Sequence, residues 1–146
     1  MKNSSQQACI VGIGETAYTR WGQMADRGEW SLACEAVLNA ITDAGLTTND
    51  IDGLASFSND SSVPWLMQHA LGLPDLKFNS MVWGGGGSGA CGAIAHAASA
   101  VESGHARYVA VFRSLCQGPG HRYGQAGGYN ELPHLNFMSP FGMFAP

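Results

Sequence analysis

The sequence predicts an α/β fold in which a mainly parallel sheet is covered by helices. Three observations carry that expectation. Short apolar runs of strand length recur along the chain, apolar residues at three-and-four spacing fill stretches between them, and glycines stand where one pattern gives way to the other. Alternation of this kind implies right-handed crossovers and parallel strands, with ligands gathering beyond the carboxyl ends of those strands.

Taken in order, Gln7 to Thr16 contains Cys9-Ile10-Val11-Gly12-Ile13-Gly14 and reads as a first strand buried on both faces. From Glu29 onward Trp30, Leu32, Ala33, Ala36, Val37, Ala40 and Ile41 mark an amphipathic helix, which Gly45 stops. Thr47-Thr48-Asn49-Asp50 makes a capped turn, and Ile51 to Phe57 is the second strand. Ser61 or Ser62 caps a short helix through Pro64, Trp65, Leu66, Met67 and Leu71, with proline near its first turn. Leu76 to Trp83 is the third strand, bounded by Pro74 and by four glycines. Ser88 to Glu102 follows as a helix so rich in alanine and glycine that it must pack closely on several sides, and Gly104 ends it. Arg107 to Phe112 is the fourth strand. Beyond Leu115, Gly118, Pro119, Gly120, Gly124, Gly127, Gly128, Pro133 and Pro140 break any period, as in a functional loop or a segment whose continuation lies elsewhere.

Composition narrows the function classes. Only 12% of the 146 residues are charged, so part of the surface is expected to be covered by subunit contact. With a net charge of -4 and no Lys/Arg run, neither nucleic acid nor an anionic membrane surface is an expected partner. No apolar run has the length to span a bilayer, and Met1 to Gln7 lacks the apolar centre of a signal peptide, so the expected location is cytoplasmic. Cys9, Cys34, Cys91 and Cys116 form no Cys-x-x-Cys pair and are read as small buried thiols, with no metal site.

Two glycine-rich turns invite a ligand. Gly12-Ile13-Gly14-Glu15 mimics a dinucleotide fingerprint, but the next helix starts too late and Glu15 would repel a pyrophosphate, so close backbone packing is the better reading. Gly84-Gly85-Gly86-Gly87-Ser88-Gly89 joins a strand directly to a helix, where backbone amides and the helix dipole converge on one anion-sized spot. The Lys-Ser/Thr of a nucleotide-binding P-loop is missing there.

Phe78 to Ala90, followed by Ala93-Ile94-Ala95 and by Val101 to Val111, resembles the central segment of the thiolase superfamily, in which a strand delivers a Cys-x-x-Gly element to a helix start. Val11-Gly12-Ile13-Gly14-Glu15-Thr16 and Ser139-Pro140-Phe141-Gly142 are similar to the lipid-transfer and sterol-carrier branch. The resemblance implies a thiolase-like amino-terminal half: residues 1–116 as the domain, 117–146 as the start of an irregular loop region, and Pro146 as a truncation point. The family's reactive cysteine falls on Gly86, and Gly89 matches the glycine of its motif. A thiolase acylates a thiolate whose pKa the helix terminus depresses, and glycine offers no such nucleophile.

Members with a glycine-rich replacement resemble aldolases that cleave a β-hydroxyacyl-CoA, for example in shortening a sterol side chain. That chemistry needs a base and stabilisation of an enolate, without a covalent link to the enzyme. The resemblance therefore implies Gly86 at the vacated nucleophile position and Gly85, Gly87, Ser88 and Gly89 around the thioester oxygen. The glycines equally suit plain tight packing of strand on helix. Cys91 is assigned to the core, and Cys116 is a rival nucleophile. His69 and His105 are placed on surface turns and His96 inside the alanine-rich helix, all structural, whereas His121, His134 and Tyr123 belong to the tail expected to lie over coenzyme A. Phe78, Met81 and Trp83 either are buried within one subunit or pair with their copies in a homodimer through the third strand.

The expected function is non-covalent retro-aldol cleavage of a β-hydroxyacyl-CoA, with coenzyme A as part of the substrate and no tightly bound cofactor. A small acyl-CoA-binding partner of the zinc-ribbon and OB-fold type is implied by the resemblance alone. Two alternatives stay open: a conventional acyl-CoA acetyltransferase or thiolase, and a non-catalytic lipid- or CoA-binding subunit or inactive fragment.

Overall fold

Gly53–Phe57 (β1) buries its first four residues, and a run with no polar side toward water suits the middle strand of a parallel sheet. In the computed structural model, which describes residues 7–20, 23–24, 26–57, 62, 64–82 and 88–116, β1 lies between two parallel neighbours, Phe78–Val82 (β2) and Val109–Val111 (β3). The sheet order is β2-β1-β3, with Ala55 opposite Ser80 and Val111 and with Phe57 opposite Val82. Parallel pairing requires crossovers, which helices Pro64–Leu71 (α2) and Gly89–Glu102 (α3) supply after β1 and β2.

The two sheet faces are covered differently. Leu54 packs with Ala33, Val37 and Ile41 of helix Glu29–Asp43 (α1), with Met67 and Leu71 of α2, and with Phe112 in one apolar core. Each of those large aliphatic side chains contributes about 1.5–3 kcal/mol by leaving water. Alternation along β1 turns Ala55 and Phe57 to the opposite face, which takes α3. The buried side of α3 is Gly89, Ala93, Ala97 and Ala100, so this helix approaches the sheet with almost no side chain between them. A Cβ on Gly92 would stand 3.2 Å from Val82 Cγ1.

Helix ends follow from single residues. Gly45 and Gly104 adopt φ of 66° and 76°, and each is followed by an N–H that reaches back five residues: Leu46 to the Ile41 carbonyl and His105 to the Ala100 carbonyl. These are the paired bonds that close a helix on a left-handed residue, which glycine adopts without a Cβ penalty. Thr47 and Asp50 form a reciprocal capping box around the 3-10 turn Thr48–Asp50.

Asp52 ties the sheet together at its amino end. Its Oδ1 accepts from the Arg107 and Tyr108 amides at 2.8 and 3.0 Å, and its Oδ2 accepts from Lys77 Nζ at 3.1 Å. Burial alone pushes this carboxyl up, but the two amides and the Lys77 ammonium outweigh it and hold Asp52 below the usual carboxylate range.

Three expectations change. The apolar run 7–16 is not a strand: Ile10, Val11 and Ile13 are 74%, 53% and 77% exposed, and the segment lies along α1 instead of a sheet edge. Its glycines explain the seat, because a Cβ on Gly14 would stand 2.3 Å from Ala40 N and one on Gly12 would stand 2.4 Å from Ala40 O. Asp43 and Asn39 hold it there by accepting from Ile13 N and donating to Glu15 O. The fourth strand is shorter than Arg107 to Phe112, although Phe112 N–H still donates to the Ala55 carbonyl. His69 belongs to α2 and not to a turn. Trp83 and Ser61 lie outside the described residues.

Candidate active site

The direction of α3 follows from two contacts with β2. Gly92 sits on Val82, and His96 Nδ1 lies 2.7 Å from Ser80 Oγ. Four residues along a helix and two along a strand both advance about 6–7 Å, so α3 runs antiparallel to β2 and begins beyond its carboxyl end. That is where ligands collect in a parallel sheet. The first turn of α3 has no side-chain cap, for the Ser88 hydroxyl makes none. Ser88 is exposed and Gly89 buried, so the pair straddles the boundary between solvent and sheet.

Of the residues expected in the site, Ser88 and Gly89 thus stand at the start of α3. Gly85, Gly86 and Gly87 lie outside the described residues, as do His121, Tyr123 and His134. Among the described residues, no further expected site residue stands beside Ser88 and Gly89. An open hollow of about 490 Å³ lined by Trp30, Cys34, Leu38 and Ala70 lies between α1 and α2, on the face opposite α3, and includes none of the expected residues.

The thiols depart from expectation. Cys91 is exposed, not in the core, because the sheet-facing stripe of α3 is carried by Gly89, Ala93, Ala97 and Ala100 and leaves position 91 outward. Cys9 is exposed too, and Cys34 and Cys116 are only partly buried. Cys116 Sγ donates to the Arg27 carbonyl at 3.0 Å, while its amide donates to Glu29 Oε1 at 3.3 Å. Cys116 is thus packed against the segment that leads into α1. Burial pushes the Cys34 thiol upward.

The remaining histidines are exposed and locally engaged: His69 with the Trp65 carbonyl and His105 with the Ser103 hydroxyl. Among the described residues, no three of His, Cys, Asp and Glu come together as a metal site, and no helix is long and apolar enough to cross a membrane.

Sequence reasoning missed Arg113. Its guanidinium lies 5.1 Å from the centroid of the Phe57 ring, on the α3 face at the carboxyl end of the sheet. The available signal was one basic residue just past an apolar strand in a chain with seven Lys and Arg.

This architecture is an α/β fold of the thiolase-like class. The priming β-ketosynthase of the R1128 polyketide pathway superposes with a TM-score of 0.59 at 20% identity, over 70% of this chain and 40% of that one, a likeness of fold alone. The solved Ltp2–ChsH2(DUF35) aldolase superposes with a TM-score of 0.73 at 38% identity, over 96% of this chain and 35% of that one. In sequence the chain is 41% identical over 146 residues to a steroid side-chain-cleaving aldolase of Thermomonospora curvata, covering 95% of this chain and 36% of that protein. It is 42% identical over 121 residues to a 17-hydroxy-3-oxo-4-pregnene-20-carboxyl-CoA lyase of Mycobacterium tuberculosis, covering 83% of this chain and 30% of that protein. The chain therefore spans about a third of the curated relatives it matches. No protein-family model matches it.

Proposed function

We propose that this chain belongs to the amino-terminal half of a lipid-transfer type thiolase-like aldolase that cleaves a β-hydroxyacyl-CoA of the steroid side-chain class without forming an acyl-enzyme. The observation that carries the proposal is the identity of 41% and 42% to two relatives named for that chemistry. Glycine at position 86, where the thiolase resemblance calls for cysteine, supports the non-covalent route.

In the proposed reaction a base removes the β-hydroxyl proton and the carbon–carbon bond breaks. Its electron pair passes into the thioester as an enolate, and protonation of the α-carbon releases a ketone or aldehyde and a shortened acyl-CoA. Backbone amides of the Gly85 to Gly89 stretch of sequence take the thioester oxygen in this reading, and His121, His134 and Tyr123 are the candidates for proton transfer. Gly86 leaves room for a bulky tertiary alcohol. Coenzyme A enters as part of the substrate, and no tightly bound cofactor is needed. Residues 1–116 form the thiolase-like domain, and 117–146 begin the loop region over the ligand.

A homodimer through β2 belongs to this reading, supported by the edge position of that strand. A partner protein is supported by the ChsH2(DUF35) component named with the similar solved aldolase, and its zinc-ribbon and OB-fold type is what the thiolase resemblance implies. The proposed setting is cytoplasmic. The test is incubation of the purified chain, alone and with such a partner, with a β-hydroxyacyl-CoA. Release of ketone or aldehyde is expected, and its absence in both mixtures contradicts the proposal.

A further inference from the structure

The register of the sheet places three side chains in one row. Phe57 of β1 is opposite Val82 of β2. On the other side Ala55 is opposite Val111, and the ladder continues through the Phe112 amide, so two residues further on Arg113 stands opposite Phe57. Side chains opposite one another in a parallel pair share a face. Val82 is the residue on which Gly92 of α3 rests, so Val82, Phe57 and Arg113 form the last row among the described residues of the sheet, beneath the first turn of α3. Phe112, one residue earlier, points the other way into the α1–α2 core.

Arg113 is thus a cation set at the carboxyl end of the sheet and backed by the Phe57 ring at 5.1 Å. The residue is partly buried. A guanidinium is permanently charged, and its planar fork suits an oxyanion. The aromatic backing reduces the ordering cost of holding it there.

From this placement we propose that Arg113 is an oxyanion-binding residue of the acyl-CoA site, taking either the thioester oxygen as it becomes an enolate or a phosphate of coenzyme A. The inference rests on the aldolase reading for its ligand, but not for its geometry. No proton leaves the guanidinium in this role. When the carbon–carbon bond breaks, the electron pair moves onto the thioester and its charge is met by a fixed cation.

The test uses the whole chain, with its partner where activity requires one, and compares wild type with Arg113→Gln, Arg113→Lys and Phe57→Leu. Three quantities are read: kcat for ketone release, equilibrium affinity for acetyl-CoA, which has no β-hydroxyl to cleave, and the far-ultraviolet circular dichroism spectrum. An enolate role predicts that Arg113→Gln lowers kcat by about 10²-fold with acetyl-CoA affinity unchanged. A phosphate role predicts affinity weaker by about tenfold or more with kcat at saturation unchanged. In both cases Arg113→Lys recovers part of the loss. Equal kcat and equal affinity in a folded Arg113→Gln protein overturn the proposal. Should Arg113→Gln fail to fold, Arg113→Lys and Phe57→Leu decide, since unaltered kcat and affinity in both overturn it too. If wild type binds acetyl-CoA but releases no ketone, the aldolase reading fails while the affinity arm still judges Arg113.

Discussion

Gly92 of α3 rests on the side chain of Val82, with room for a hydrogen and little more: an added Cβ would meet both γ-methyls, at 3.2 and 3.3 Å. That single contact sets how closely α3 approaches β2, and so where the helix begins beyond the sheet. Replacing Gly92 by leucine is expected to destabilise the protein by about 1–3 kcal/mol through overpacking, despite the better helix propensity of leucine. Urea unfolding measures it. Adding Val82→Ala should recover part of the loss, and a Gly92→Leu protein as stable as wild type contradicts the seat of α3.

Asp52 gives a prediction in pH. Because the folded protein holds this carboxyl below its unfolded value of about 3.9, ionised Asp52 stabilises at pH above about 4, and the contribution is lost as pH falls through the folded value. Asp52→Ala is expected to cost about 2–4 kcal/mol at neutral pH, since the Arg107 and Tyr108 amides lose their acceptor. Lys77→Met should cost less than about 1 kcal/mol, its side chain being 56% exposed. Denaturant midpoints from pH 7 to pH 3 check both, with the gap between wild type and Asp52→Ala narrowing toward acid. A gap that stays constant to pH 3 counts against the assigned role.

The cysteines should label in an order set by exposure. Cys9 and Cys91 are exposed, whereas the Cys34 thiol is partly buried and pushed up by that burial, so alkylation is expected at the first two before Cys34. Peptide mapping by mass spectrometry reads the order. Cys116→Ser is expected to leave ketone release unchanged, and a large loss would reopen the acyltransferase alternative.

Much of this architecture was legible because its signals are local. Gly45 and Gly104 announce their helix ends in sequence, Thr47 and Asp50 cap their own turn, and the runs around Leu54 and Met81 are too short and apolar for anything but strands. Segment 7–16 carries the same apolar signal, yet a strand needs an edge to pair with, and no local pattern says whether one is within reach. Gly12 and Gly14 did announce the outcome, close approach to another backbone, without naming α1 as the partner. Cys91 was misassigned because a helix made largely of alanine and glycine has little contrast between faces. Arg113 escaped notice for a different reason: its relation to Phe57 is made by the register of β1 and β3, across more than fifty residues of chain.

The proposed chemistry is cleavage without acylation of the protein. Incubating the chain and the proposed partner with a β-hydroxyacyl-CoA, then measuring small-molecule products and the intact protein mass together, addresses it in one experiment. The expected result is ketone or aldehyde and shortened acyl-CoA in equal amounts, with the protein mass unchanged. Protein heavier by one acyl group, or substrate returned intact, would contradict it.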